Sequence, residues 1–317
     1  MGKPTGRDSG RNYPGERDFH LGRIGSEYSN HDRAGRSSSP SIRLEDKMKR
    51  LLLAASIVLA GTACFAAEQW KPRLALQLYS FRDRSFTDAV KTAKKLGFKY
   101  VEAYPGQKLG GEMDGTTAFP MSADNRAKVK AFLTEEGIKL VSYGVTGAND
   151  EKGWRQLFDF AKDMDIEIIQ IEAGRDMKTL DLVNKLAQEY GIKVGMHNHT
   201  QPGGFPDAVA KQLKGHPFIG SGADIGHWAA AGVVPLDGVK KLKGRFFTMH
   251  MVEMSQIGPG GKCVPFGQGA CQLGQILDEL KRQKFKGTIT CEYELMSPTL
   301  EKEIGECVEW YNAHFSN

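Results

Sequence analysis

Five apolar stretches of this chain each run into a side chain that can bind a metal ion or transfer a proton. These side chains are Glu172, His199, Asp224, His250 and Glu292. His197 stands two residues before His199, and side chains two apart on a strand share one face. A single histidine pair is explained equally well by hydrogen bonding at a strand end. Five successive apolar stretches that each end in an acidic residue or a histidine predict a functional site.

A divalent cation in a protein needs three or four nitrogen or oxygen ligands from elements that converge. The five side chains supply such a set, and their mixture of imidazole and carboxylate favours Mn, Zn, Co or Fe over Mg or Ca. Any one of them alone would be explained as a salt-bridged or hydrogen-bonded strand end. Together they predict a divalent metal ion as the cofactor.

Short strands and amphipathic helices must alternate to bring these side chains together. Strands are predicted over 74–79, 100–103, 140–143, 166–171, 194–196, 219–223, 246–251 and 288–291. Strict alternation with helices implies parallel pairing and right-handed crossovers. Eight such units in about 250 residues fit an α/β fold of the (β/α)8 TIM barrel type. A doubly wound open sheet is the alternative, but no Gly-x-Gly-x-x-Gly turn follows the first strand.

Helix boundaries carry their own signals in this sequence. Ser85 is the predicted N-cap of a helix over 86–96, and Gly97, Gly137 and Gly191 are predicted helix ends, where a left-handed residue is favoured. In a barrel, the carboxyl ends of all strands form one mouth. The predicted metal ligands converge there.

The first 66 residues differ in composition from the rest. Residues 1–47 are rich in Gly, Ser, Arg and Asp and have almost no apolar clusters, so they are predicted to be disordered. Residues 48–66 have a basic pair, an apolar run and a small-residue end, which is typical of a secretory signal peptide. We therefore expect that translation starts at Met48 and that residues 1–47 come from an over-long start assignment. The mature domain is expected at 67–317 and is expected to be secreted or periplasmic. A lipoprotein signal at Cys64 is the alternative, although residues 61–64 lack the usual leucine.

The remaining charge balance excludes some classes of partner. Residues 1–66 contain 11 of the 43 Lys and Arg and 7 of the 38 Asp and Glu, which leaves a net charge of about +1. This balance gives no electrostatic argument for nucleic acid. The apolar run at 51–60 is too short for a stable membrane span.

Four cysteines remain after residue 66. They are too few for a disulfide framework, and no zinc-type spacing accompanies them. Cys263 and Cys271 flank one glycine-rich loop and would be able to pair in an oxidising compartment.

From about Leu74 to Phe315 the chain resembles the xylose isomerase-like TIM-barrel superfamily, often called sugar phosphate isomerases/epimerases. The segments that carry the resemblance are LQLYSFRD at 76–83, GFKYVE at 97–102, MHNH at 196–199, DIGH at 224–227, His250 and CEYE at 291–294. Together they are specific for the superfamily and leave the substrate open.

The resemblance implies a metal held by an acid from strand five, an Asp from strand six, a His from strand seven and a Glu from strand eight. Carried over, the last three are Asp224, His250 and Glu292. The strand-five position is His197 here. We expect His199 and Glu172 to complete the coordination sphere, with His197 as an alternative ligand.

The resemblance also suggests how a carbohydrate would be held. His227 resembles a substrate-contacting histidine, and Tyr79 and Trp228 are candidates to pack against a sugar ring. Many relatives have Lys-Asp after the strand-seven histidine, whereas this chain has Val252 and Glu253, so a lysine is missing and Glu253 is expected near the substrate. The glycine-rich loop at 259–269 is long enough to be a lid or a substrate wall. Glu102 is interpreted as structural.

A metal flanked by two carboxylates suits proton abstraction next to a carbonyl. Glu172 and Glu292 are the predicted catalytic pair, with His197 as the substitute base, and they would support epimerisation or aldose–ketose isomerisation. If a leaving group lies β to the acidified carbon, the same step makes the protein a 3-keto-glycoside lyase or hydrolase. A non-catalytic carbohydrate-binding barrel is a further alternative. The DNA-repair endonucleases of the superfamily are disfavoured by the predicted export and neutral charge.

The signal-peptide pattern predicts a mature chain that begins at Ala67. N-terminal sequencing of protein recovered from its native host measures this directly. A mature chain that retains residues 1–47 would contradict the expectation.

Overall fold

The computed structural model describes residues 70–316. The predictions for residues 1–47 and for the signal peptide at 48–66 lie outside these residues.

Ten strands form a main sheet and one hairpin. The strands are β1 (Arg73–Gln77), β2 (Tyr100–Ala103), β3 (Lys108–Gly110), β4 (Met113–Thr116), β5 (Lys139–Thr146), β6 (Ile168–Glu172), β7 (Lys193–His197), β8 (Ile219–Ser221), β9 (Thr248–Met251) and β10 (Thr288–Cys291). Strands β3 and β4 pair with each other in antiparallel fashion. The other eight are all parallel, in the order β8-β7-β6-β5-β2-β1-β10-β9.

Nine α-helices lie between and after these strands in the described part of the chain. They are α1 (Phe86–Lys95), α2 (Ala123–Glu136), α3 (Glu151–Asp163), α4 (Met177–Tyr190), α5 (Pro206–Gln212), α6 (Ile225–Ala230), α7 (Pro235–Lys241), α8 (Leu273–Arg282) and α9 (Leu300–His314). Two short 3₁₀ segments, Leu78–Phe81 and Pro202–Gly204, complete the set. Between residues 70 and 316, no helix is both long and apolar enough to cross a membrane.

The eight parallel strands form a nearly closed barrel. The two ends of the sheet, β8 and β9, approach each other through parallel bridges between Ser221 and Phe246 and between Asp224 and His250. Strand interiors are buried on both faces, as expected when helices cover a parallel sheet. The predicted (β/α)8 TIM barrel is therefore confirmed.

Local signals explain where several helices begin and end. The Ser85 side chain accepts a hydrogen bond from the Asp88 backbone N–H and starts α1. Gly137 and Gly191 end α2 and α4 with φ values of 67° and 68°, the left-handed region that glycine adopts without a Cβ clash. These boundaries were predicted from the sequence.

Two elements near the mouth of the barrel were not predicted. The segment after β2 contains the β3–β4 hairpin, which is not among the eight strands predicted from the sequence. The short helix α6 begins at Ile225, soon after β8 ends at Ser221. The Asp224 side chain caps this helix by accepting a hydrogen bond from the His227 N–H. Both features depend on turns and on a side-chain cap, and the spacing of apolar residues does not predict these.

The loop at 259–269 is fixed to the barrel. The buried Glu253 carboxylate accepts hydrogen bonds from the backbone N–H groups of Gly267 (3.2 Å) and Cys271 (2.9 Å). Phe266 packs edge-on against Trp310. Cys263 and Cys271 are both buried and unpaired in this structure.

An ion network joins three strands at the amino-terminal end of the barrel. Arg73 at the start of β1 donates two hydrogen bonds to Glu167, at 2.9 and 2.6 Å, and Lys139 at the start of β5 donates a third, at 2.7 Å. The Arg73 hydrogen bond, with a further contribution from Lys139, lowers the pKa of Glu167 to about 2. The bidentate geometry and partial burial make this pair stronger than an ordinary surface ion pair.

Replacing Glu167 by Gln is expected to lower the free energy of unfolding at neutral pH by about 1 kcal/mol. This is the upper end of the range for solvent-exposed ion pairs, because the contact with Arg73 is bidentate and solvent still screens both charges. A carboxyl pKa that is lower in the folded state stabilises the fold above its unfolded value of 4.5. That stabilisation is lost as the pH falls towards 2. Urea titrations of both proteins should therefore show a difference that narrows below about pH 4.5.

The matched control is Glu135→Gln, which removes a carboxylate from an exposed position on α2. A difference between wild type and Glu167→Gln that stays constant down to about pH 3 would contradict the linkage.

Candidate functional site

A cavity of about 460 Å³ opens at the carboxyl ends of the barrel strands. Four histidines, His197, His199, His227 and His250, line it together with Gln77, Tyr79, Tyr104, Pro105, Gly144, Val145, Glu292 and Glu294. Its size suits one small polar ligand. No lysine or arginine of the described chain is among these lining residues.

Three buried side chains converge at the base of this cavity. His197 ends β7, Asp224 precedes α6, and His250 lies within β9. Each is at most 2% exposed, and each offers one nitrogen or oxygen atom within 4.8 Å of those of the other two. The parallel bridge between Asp224 and His250 fixes two of the three backbones against each other.

Two fully buried side-chain atoms of this group have no hydrogen-bond partner among residues 70–316. They are His197 Nδ1 and Asp224 Oδ2. Buried polar atoms are nearly always paired, because desolvation without a partner costs about 1–3 kcal/mol. An imidazole nitrogen and a carboxylate oxygen that face one spot fit a divalent metal ion as the missing partner.

The other Asp224 oxygen is already in use. Oδ1 accepts the cap hydrogen bond from the His227 N–H at 2.7 Å, which leaves Oδ2 free. Asn198 holds the Asp224 backbone with two hydrogen bonds, at 3.0 and 3.1 Å. Burial raises the pKa of Asp224, and the neighbouring Glu292 raises it further. Asn198, which directly follows β7, therefore positions a candidate ligand.

Two carboxylates hold His250 between them. Its Nδ1 lies 2.6 Å from Glu292 Oε2, and its Nε2 lies 2.9 Å from Glu102 Oε1. Burial alone would lower the pKa of His250, but the charges of Glu102 and Glu292 and their hydrogen bonds outweigh it and raise the pKa well above 6.5. A histidine fixed through one ring nitrogen by a carboxylate presents the other nitrogen in a defined direction.

Glu102 is fully buried and accepts hydrogen bonds from several donors inside the barrel. Gln77 Nε2 donates at 2.8 Å, Gln170 Nε2 at 3.1 Å, and Thr290 Oγ1 at 3.2 Å. These donors come from β1, β6 and β10, and Glu102 itself lies on β2. One carboxylate thus connects four strands to the His250 side chain.

His197 is buried beside other imidazoles. Burial, followed by the charges of His250, His199 and His227, lowers the pKa of His197 well below 6.5. The ring is therefore neutral at physiological pH, which is the form that binds a metal.

Glu172 and His199 form a separate pair. His199 Nδ1 lies 2.7 Å from Glu172 Oε2, and the two side chains are 44% and 36% exposed. This hydrogen bond raises the pKa of His199. The His199 ring also lies 4.9 Å from that of His227. Ligand atoms of His197, His199 and His227 converge in a second group within 4.8 Å, on the more open side of the cavity.

The predicted site residues therefore fall into distinct places. Asp224, His250, Glu292 and His197 lie together or in contact at the base of the cavity, and His199 pairs with Glu172 beside it. Tyr79 and His227 line the cavity, and their contact with a substrate stays a prediction.

Trp228 and Glu253 do not reach this cavity, which corrects their expected place at the substrate. Trp228 is fully buried and donates its indole N–H to the Gly204 carbonyl at 2.9 Å. Glu253 is 1% exposed, and its carboxylate holds the loop at 259–269. That loop contributes no residue to the lining of the cavity, so the expectation of a substrate wall is not met here.

Several lining or supporting residues were missed from the sequence. Gln77, Gln170 and Asn198 carry amides rather than charges, so they did not stand out as chemistry-bearing residues. Tyr104 and Glu294 lie in segments just beyond strand ends. Side chains alternate between the two faces of a strand, so polar residues such as Gln77 and Glu102 within apolar strands could have indicated a polar barrel interior.

The fold and the cavity can now be compared with known proteins. The profile of the xylose isomerase-like TIM barrel family matches residues 90–314. The chain belongs to this family. The resemblance stated from the sequence segments is thereby confirmed.

Solved structures of this family and fold are similar along most of the chain. An uncharacterised protein from Parabacteroides distasonis ATCC 8503 is 30% identical, with 77% of this chain and 99% of that chain covered and a TM-score of 0.63. A xylose isomerase-like TIM barrel protein from Mycobacterium smegmatis, in complex with magnesium, is 16% identical (77% and 95% covered, TM-score 0.61). D-psicose 3-epimerase with D-tagatose, from Clostridium cellulolyticum H10, is 12% identical (77% and 100% covered, TM-score 0.59). No curated protein matches the chain.

Glu102→Gln tests the support of His250. The amide has the same shape as the carboxylate, but its NH₂ group would face the donor group of Gln77, Gln170 or Thr290. The free energy of unfolding of the metal-free protein should therefore fall by about 2–3 kcal/mol. Zn²⁺ affinity should fall about 10–100-fold, because His250 loses the partner that orients it. Urea denaturation and calorimetric Zn²⁺ titration measure the two effects.

The exposed Glu135→Gln variant is again the matched control and should change neither quantity. Zn²⁺ affinity that is unaltered in Glu102→Gln would exclude a positioning role for Glu102.

Proposed function

We propose that this family member is a metal-dependent carbohydrate isomerase or epimerase that moves a proton on a carbon next to a carbonyl. The observation that carries the proposal is the pair of unpartnered buried atoms, His197 Nδ1 and Asp224 Oδ2, beside His250 in a cavity of sugar size. A purely structural cluster would have paired these atoms within the protein.

The proposed metal ligands are His197, Asp224, His250 and Glu292. When the ion is bound, His250 Nδ1 gives up the proton that it shares with Glu292, while Nε2 keeps its hydrogen bond to Glu102. His197 takes the place for which the sequence favoured Glu172 and His199, because it is buried and has a free nitrogen, whereas those two side chains bond to each other. A divalent ion bound there would polarise a substrate carbonyl and so acidify the adjacent carbon. The mixed nitrogen and oxygen donors suit Mn, Zn, Co or Fe.

Two groups at the cavity can hold the proton that moves. Glu292 is a carboxylate that lines the cavity at its base, and it shares a hydrogen bond with His250 Nδ1. Glu172 holds His199 through Nδ1, which leaves Nε2 of that ring free to exchange a proton at the cavity wall. Glu172 is thus proposed to act through His199. Removal of a proton by one group and its return by the other on the opposite face of the same carbon gives epimerisation. Return of the proton to the neighbouring carbon by one of these groups gives aldose–ketose isomerisation.

A neutral sugar fits the cavity better than a phosphorylated one. The lining has histidines, carboxylates and tyrosines, and it has no lysine or arginine from residues 70–316 that would bind a phosphate. The fold shared with a D-psicose 3-epimerase solved with D-tagatose supports a carbohydrate, as does the proposed export of the protein.

A 3-keto-glycoside lyase or hydrolase is the second candidate. The lining of the cavity has no lysine or arginine from residues 70–316, which suits a neutral glycoside as well as a neutral monosaccharide. The proton abstracted would be the same, and a leaving group on the next carbon would depart with the bonding electrons.

Metal content and deuterium exchange, measured on the same variants, test the proposal. His197→Ala, Asp224→Asn and His250→Ala should each lose most bound metal and all exchange, because each removes a proposed ligand. Glu172→Gln should keep its metal and lose about 10²–10⁴-fold in rate, the usual scale for a proton-transfer group. Mass spectrometry of sugars incubated in D₂O, over ketohexoses and 3-keto-glycosides, reports the exchange.

Three results would count against the account. Full metal content in both Asp224→Asn and His250→Ala would exclude the site. Metal loss in Glu172→Gln with retention in His197→Ala would restore the ligand set first favoured by the sequence. Sugar binding that survives chelation, without deuterium incorporation from any of the sugars, would indicate a non-catalytic binding protein.

A further inference from the structure

A second cavity, here called the side groove, adjoins the site cavity. Its volume is about 400 Å³, and Tyr104 lines both cavities. Its lining also includes the charged or polar residues Arg82, Asp83, Arg84, Gln107 and Lys108. The chain segments involved are the turn before α1 and the segment from Tyr104 to the start of β3. The side groove is therefore a direct neighbour of the proposed catalytic centre.

An aromatic pair separates the two cavities. The rings of Tyr79 and Tyr104 lie 5.1 Å apart and nearly perpendicular. Arg82 braces the pair, since its guanidinium lies 4.9 Å from the Tyr79 ring and donates to the Glu294 carbonyl at 3.0 Å. Tyr79 is still 38% exposed. An amphipathic surface of this kind suits the apolar face of a sugar ring with its hydroxyls directed elsewhere.

Gln107 supplies an unpartnered acceptor in the side groove. The residue is 3% exposed, and its Nε2 donates to the Arg84 carbonyl at 3.3 Å. Its Oε1 has no donor within hydrogen-bond distance in the described part of the chain. Buried acceptors of this kind are rare, and each needs a partner that brings a proton.

The backbone position of Gln107 is fixed. Its backbone N–H donates to Thr117 Oγ1 at 3.0 Å, and its carbonyl accepts from the Thr117 N–H at 2.9 Å. The β3–β4 hairpin that follows packs so closely against the cap of α1 that a Cβ at Gly110 would clash with the Ser85 side chain. The backbone of Gln107 is therefore fixed at the side groove, and a rotation of the side-chain amide brings Oε1 to a ligand.

The two arginines of the side groove already have partners, and its exposed Lys108 is balanced by the Asp83 carboxylate in the same lining. Arg84 donates to Glu301 Oε1 at 2.9 Å and to Thr92 Oγ1 at 2.8 Å, and Arg82 is bound to the Glu294 carbonyl. A carboxylate or phosphate ligand has no proton for Gln107 Oε1, whereas a sugar hydroxyl donates one. The chemistry of the side groove favours a neutral polyhydroxylated ligand over an anion.

We infer that the side groove is a second carbohydrate subsite, which holds a glycosyl unit attached to the sugar in the site cavity. The inference rests on the proposed function and narrows its substrate class to disaccharides and other glycosides. Tyr79 and Tyr104 separate the two sugar rings, and Gln107 Oε1 accepts a hydroxyl proton from the second ring.

Matched pairs of sugars test the inference by calorimetry on metal-loaded protein. D-Fructose is compared with its glucosyl derivatives turanose, maltulose, leucrose and isomaltulose, and D-glucose with maltose and cellobiose. At least one disaccharide should bind about tenfold more tightly than its monosaccharide, the gain from one buried hydrogen bond and ring contact. Gln107→Met should remove that gain and leave monosaccharide affinity unchanged.

Gln156→Met, at an exposed position on α3, is the matched control and should retain the gain. Saturation-transfer NMR on the unmodified protein gives a readout that needs no variant: both rings of the bound disaccharide should receive saturation.

Four outcomes overturn the subsite or the role assigned to Gln107. Equal affinities within every pair would leave the carbohydrate site standing and exclude the subsite, and so would saturation confined to one ring. A gain that persists in Gln107→Met would exclude its acceptor role. No binding of any of these sugars would overturn the proposed function and the subsite together.

Discussion

The burial of the Glu102 carboxylate at the centre of the barrel is the constraint on which the rest of the site depends. A carboxylate without solvent must be surrounded by donors. Gln77, Gln170, Thr290 and His250 meet this need from four different strands. The same hydrogen bonds that satisfy Glu102 also fix the plane of the His250 ring. Stability of the barrel interior and orientation of the site are therefore coupled through one residue.

Between this buried network and the mouth of the barrel, the side chains have fewer hydrogen-bond partners within the protein. His250 uses both ring nitrogens, while His197 and Asp224 each keep one free atom at the base of the cavity. Glu172 and His199 are paired and half exposed. The site therefore has three layers with different proposed roles. The buried network around Glu102 holds His250 in place, His197 and Asp224 present ligand atoms, and Glu172 and His199 exchange protons with a substrate. Residues that look chemically similar in the sequence thus act differently in the proposed site.

The repeating pattern of the sequence predicted the barrel because alternation, helix caps and strand-end positions are local features. Ser85, Gly137 and Gly191 end or begin helices where their side chains or conformations require it. Strand ends also indicated which side chains would meet. They did not indicate partners: the Glu172–His199 hydrogen bond and the burial of Trp228 depend on side-chain directions across different elements. Gln107 and Asn198 were missed because neutral amides gain significance only from their surroundings.

The central claim is that one divalent ion is held by His197, Asp224 and His250. Anomalous diffraction from crystals grown with Mn²⁺ or Zn²⁺, collected on both sides of the metal absorption edge, locates such an ion directly. The account predicts one strong peak about 2.0–2.3 Å from a ring nitrogen of His197, a carboxylate oxygen of Asp224 and a ring nitrogen of His250, with Glu292 beside it. A peak coordinated by Glu172, His199 and His227 instead, with His197 and Asp224 unliganded, would contradict it.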